Sequence, residues 1–127
     1  MQNGSAFWRV ASFAEKYKAG IIKLIDENKG RRVEANFERW WQTQVCYYLV
    51  TGGSWLPMPH IATESAKRNI SIFYRGIAAL ISQMSPHEHT QLTAVLLLEL
   101  DQRFDNLSLS RWLNVHKKHH QNCHTVS

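Results

Sequence analysis

The chain has 127 residues, of which 44% are hydrophobic and 20% charged, with only six Gly and three Pro. That is enough for one domain with its own core, and it excludes disordered, collagenous and low-complexity classes. Two cysteines, Cys46 and Cys123, cannot build a multi-bridge disulfide scaffold, and no apolar run reaches the ~18 residues of a membrane helix. The opening residues lack the basic-then-apolar order of a secretion signal, so the expectation is a soluble cytoplasmic protein with no cofactor and no membrane contact. Fifteen Lys and Arg against ten Asp and Glu leave a net charge of +5, with seven His in reserve at lower pH. Such a balance favours a polyanionic partner, nucleic acid before acidic protein.

Periodicity predicts an all-α, single-domain bundle of about five helices over 1–127, with a His-rich end at 117–127 that is prone to fray. The first segment, about 5–28, carries Phe7, Val10, Ala14, Tyr17, Ile21 and Leu24 at alternating spacings of three and four, and Gly30 is placed to cap its end. The second, about 31–51, turns Val33, Phe37, Trp40, Trp41, Val45, Tyr48 and Leu49 inward and stops at Thr51-Gly52-Gly53-Ser54. Trp55-Leu56-Pro57-Met58-Pro59 reads as an extended connector whose tryptophan folds back over the core.

The third segment, about 60–84, buries Ile61, Ile72, Phe73, Ile77, Leu80, Ile81 and Met84. Ser85-Pro86-His87-Glu88 has the form of a capping box with proline in the first turn, opening a fourth helix to about Phe104. Its run Ala94-Val95-Leu96-Leu97-Leu98 is apolar nearly all round, which predicts a central position. Ser108 caps the last predicted helix, carried by Leu109, Trp112, Leu113 and His116.

Five arginines (Arg9, Arg39, Arg75, Arg103 and Arg111) adjoin an aromatic residue, a pairing compatible with phosphate and base contacts but also with arginine stems lying over a core. Helical phase is more informative. Arg68 and Arg75 are seven apart and share a face opposite the apolar stripe, with Lys67 beside them. Arg31 and Arg32 with Lys29 occupy a predicted corner, and Lys117 and Lys118 lie near the end. Together they can form a track for a phosphate backbone or remain dispersed solvating charge. A helix-turn-helix does not fit residues 60–80, because no turn interrupts the helical phase.

Near the C-terminus, His116, His119, His120, Cys123 and His124 recur at helical spacing, and imidazole and thiolate are good zinc, nickel or copper ligands. The spacing matches no zinc finger, so no resident metal is expected, with His116, His120 and Cys123 the candidate ligands. The run Arg111-Trp112-Leu113-Asn114-Val115-His116 resembles the Arg–His signature of the HEPN ribonucleases, small all-α proteins. That resemblance implies an RNA-cleaving site in which Arg111 and His116 meet at a dimer interface and act on the 2′-hydroxyl and scissile phosphate. Trp112 departs from the polar residue usual there. No phosphate-cradling glycine loop or paired catalytic carboxylates appear in the sequence.

The leading expectation is a non-catalytic nucleic-acid-binding protein, a regulator or small subunit of a nucleoprotein assembly. Its phosphate contacts would be Arg68, Arg75, Lys67, Arg31 and Arg32, with a protein partner or a second copy alongside. The alternative is a protein-interaction module, an adaptor or inhibitor, with Trp41 and Trp55 as interface anchors.

Overall fold

A computed structural model describes residues 5–25, 32–57 and 63–104. These residues form four helices, α1 (Ser5–Ile22), α2 (Arg32–Thr51), α3 (Glu64–Ser82) and α4 (Pro86–Phe104), and no strand occurs among them. The fifth predicted helix, the Gly30 cap and the His-rich end lie outside the described residues.

Each helix buries one stripe set by its own periodicity. Val10, Ala14, Ile21 and Leu24 come from α1 and its following turn, Phe37, Trp41 and Val45 from α2, Ile70, Phe73 and Ile77 from α3, and Leu92, Leu96 and Leu100 from α4. Three details differ from the sequence reading. Ile72 is 39% exposed while Ala66 and Ile70 are buried, because the stripe runs 66–70–73–77–81 and Ile72 lies about 100° off it. Trp41 is 1% exposed and Trp55 is packed against the core, as the α2 stripe and the folded-back connector predict, so neither is the exposed anchor that the interaction-module alternative requires. Finally, α4 is not central: Leu98 is 58% exposed, and α1 is the helix that packs against all three others.

The chain order of contacts gives the topology. Phe7 meets Trp41 at 6.0 Å and Lys18 pairs with Glu34, so α1 and α2 run antiparallel. Gly20 faces Asn69 and Phe13 faces Gly76, so α1 and α3 are antiparallel too. The α2 and α3 axes therefore point the same way. The connector has to return along α2, and it does: Gln44 accepts from the Leu56 backbone N–H at 3.1 Å and its Nε2 donates to the Leu56 carbonyl at 3.4 Å. Twelve residues, 52–63, separate the helices. Extended, they reach about 40 Å, enough to retrace the roughly 30 Å length of α2.

Local chemistry fixes the ends. Gly52 at φ 77° and Gly53 at φ 125° close α2, with the Gly53 N–H donating to the Tyr48 carbonyl at 2.9 Å in a Schellman-type stop. The Thr63 side chain caps α3 by accepting from the Ala66 N–H at 3.0 Å, so this helix starts at Glu64, later than its apolar pattern alone predicts. The predicted capping box opens α4: Ser85 Oγ accepts from the Glu88 N–H at 3.2 Å and Glu88 Oε1 accepts from the Ser85 N–H at 3.0 Å. Where α2 and α3 do not approach closely, rings span the gap. Trp40 lies 5.5 Å from Phe73, and Trp55 sits between Tyr48 at 4.3 Å and Tyr74 at 4.2 Å.

Candidate nucleic-acid interface

The outer face of α3 carries Arg68, Ser71, Ile72, Arg75, Ala79 and Ser82, all exposed. Arg68 and Arg75 stand two turns apart on it, as their spacing predicts, and neither meets a carboxylate among the described residues. Lys67 is exposed on the flank and pairs with Glu64 at 3.6 Å, which partly neutralises it. Arg32 begins α2, but its side chain and the whole of Arg31 lie outside the described residues, and with them the predicted corner.

The structure adds a second row. On α1 and its following turn, Arg9, Lys16 and Lys23 recur every seven residues, all exposed, on the flank that borders α3. Their position follows from the α1–α3 contact, which runs through Phe13 and Gly20 on α1 and Asn69, Gly76 and Leu80 on α3. The helices can lie this close because a Cβ at Gly20 or Gly76 would overlap the Asn69 or Phe13 side chain. A groove of about 410 Å³ between the helices has Arg9, Lys16 and Leu80 on its walls. Arg9 is tied to Glu88 at 3.3 Å, whereas Lys16 and Lys23 meet no carboxylate among the described residues. Lys16, Lys23, Arg68 and Arg75 thus form two rows of uncompensated positive charge on neighbouring helices. The seven-residue spacing of 9, 16 and 23 stands in the sequence, but only the packing of α1 on α3 makes that row a neighbour of Arg68 and Arg75.

Elsewhere, charge is paired. Lys18 bonds Glu34, and that hydrogen bond, reinforced by Glu15 and Glu38, pushes its ammonium pKa above the ordinary value. A cation for Glu34 thus comes from α1. The Glu88 carboxyl is held below the ordinary range, first by the Ser85 backbone N–H and then by Arg9. Among the described residues no three His, Cys, Asp or Glu are grouped so as to hold a metal, and no helix is long and apolar enough to cross a membrane. Arg111, His116, His120 and Cys123, and with them both the ribonuclease and the metal-ligand readings, lie outside the described residues.

Compared with protein-family models, curated proteins and solved structures, the chain matches none of them.

Proposed function

We propose that this protein binds nucleic acid, without catalysis, through the outer face formed by α1 and α3, contacting phosphates and not base edges. The observation that carries this reading is the gathering of four exposed cations, Lys16, Lys23, Arg68 and Arg75, with no carboxylate partner among the described residues. Ala19 lies between Lys16 and Lys23 and Ser71 between Arg68 and Arg75, small side chains that leave the helix surfaces open to a backbone. Arginine offers phosphate a bidentate fork and lysine a point charge, and neither reads sequence by itself. A small helical subunit or regulator of a nucleoprotein assembly is the role this chemistry serves.

The test is binding of labelled single- and double-stranded DNA and RNA at two salt concentrations, with the nucleic acid recovered on a gel. Wild type should bind with strong salt dependence and leave the polymer intact. Arg68→Glu with Arg75→Glu should weaken binding on every sequence and, for duplex DNA, flatten the salt slope by about 1.8, the loss of two phosphate contacts. Lys16→Glu with Lys23→Glu should do the same from the other row. If both double variants bind as wild type does, the assignment is wrong; cut RNA would instead promote Arg111 and His116.

A further inference from the structure

The flank of α1 next to its basic row has the reverse character. A groove of about 410 Å³ opens there between α1, α2 and α4, and in a chain of net charge +5 its rim carries three carboxylates, Glu15, Glu38 and Glu99. Its walls are aromatic. Trp8 is 65% exposed, Phe7 meets it edge-on at 5.8 Å, and Trp41 lies behind Phe7 at 6.0 Å. No Lys or Arg lines the groove; Lys18 reaches Glu15 at 3.8 Å but also bonds Glu34, and Arg9 and Lys16 line the adjoining groove on the far side of Trp8 and Ser12. Glu38 and Glu99 have interactions of their own, so what they bring to the groove is negative field and not a vacant ligand atom.

Gln42, also lining the groove, is a second and independent observation. It is 1% exposed, its Nε2 donates to Glu38 at 3.4 Å, and its Oε1 has no hydrogen-bond partner among the described residues. A buried carbonyl oxygen without a donor is unfavourable, and it asks for an N–H. These features eliminate ligand classes in turn. An anion meets three carboxylates and an unpaired carbonyl. A purely apolar group leaves that carbonyl unpaired and the carboxylates desolvated. A metal ion needs ligands drawn close around it, and no such group occurs among the described residues.

We infer that this groove takes an organic cation, a guanidinium or alkylammonium group on an apolar stem. The cation sits against the Trp8 face in the field of Glu15, Glu38 and Glu99, and one of its N–H groups turns to Gln42 Oε1. The stem lies along Phe7 and Ala11, and a volume of about 410 Å³ accommodates a group the size of an arginine side chain. This chemistry belongs equally to a free polyamine and to a basic side chain of a protein partner. Trp8 and Ser12 line both this groove and the one beside the basic row, but Glu15, Glu38, Gln42 and Glu99 line this one alone, so the two readings call on different charged residues.

Calorimetric titration of the full chain tests it with agmatine, spermidine and an octapeptide holding one arginine among glycines and serines. A citrulline version of the peptide serves as the neutral control. The expected result is saturable binding of a cationic probe, a shift of the Trp8 indole N–H resonance, and no binding of the citrulline peptide. Trp8→Ala and Glu99→Gln should each weaken binding about tenfold, the scale of one cation–π or charge contact. Arg68→Glu with Arg75→Glu should not weaken it. Binding tighter for the peptide assigns the cation to a protein partner; binding at least as tight for agmatine or spermidine assigns it to a free amine. Saturation by none of the three cations at low salt, or binding undiminished in both groove variants with unchanged thermal unfolding, overturns the assignment. Trp8 is 65% exposed, so its truncation leaves the core intact.

Discussion

Tyr74 concentrates what single side chains can reveal here. Its ring is stacked on Trp55 at 4.2 Å, while its hydroxyl is buried without a hydrogen-bond partner among the described residues. Burial pushes its pKa up to about 12 from 10.0. The unfolded chain therefore gives up this proton first, and stability is lost as pH rises from 10.0 towards about 12. Tyr74→Phe removes an unpaired oxygen while keeping the ring, so at neutral pH it should be neutral or stabilising by up to ~1 kcal/mol. Its advantage should widen above pH 10.0, as urea unfolding of both proteins at pH 7, 10 and 11 would show. A variant that unfolds more easily at every pH would mean that the hydroxyl has a partner. Nothing in the sequence marks Tyr74 out, since adjacent Phe73 and Tyr74 look alike until Trp55 arrives from the connector.

At the level of the helices, the ends were more legible than the faces. The capping box of Ser85 and Glu88 is a local pattern and can be read from four residues, because both bonds close within one turn. Ser85→Ala should therefore cost about 1 kcal/mol, measured as a lowered urea midpoint with an unchanged slope. Glu88 adds a pH dependence. Its carboxyl is held below the ordinary value of 4.5, so its stabilising effect is present above that value and lost as pH falls through the depressed one. The gap between wild type and Glu88→Gln should accordingly close in acid. A gap that persists undiminished at pH 2 would show that the charge is not what stabilises the turn. Faces are harder, because apolar side chains of neighbouring residues differ by 100° and only packing selects among them. Ile72 and Phe73 are both apolar and adjacent, yet packing buries Phe73 and leaves Ile72 exposed. The apolar run of α4 predicts a buried axis, yet among its described side chains only Leu92, Leu96 and Leu100 are enclosed, and Leu98 faces outward.

Across the whole molecule, the sequence announces helices and their number of turns but not which helix lies against which. The α3 half of the basic face was legible from Arg68 and Arg75 alone, because one helix supplies it. Its α1 half becomes meaningful only once Gly20 and Gly76 bring the two helices together. The aromatic–acidic groove was not legible at all, since α1, α2 and α4 each contribute part of it. The direction of α3 has one more consequence. Because the connector retraces α2, the most extensive helix contacts, α1 on α3 and α2 on α4, join the first half of the chain to the second, while α1 and α2 share less. Neither half encloses a core by itself. Severed at residue 60 and produced as two separate polypeptides, the halves should each remain largely unfolded alone and recover helical circular dichroism when mixed. Two halves that fold separately and ignore each other would contradict this interleaving. The strap beside Gln44 thus behaves as a tether that raises the effective concentration of two complementary fragments, and the fold is in this sense an intramolecular heterodimer.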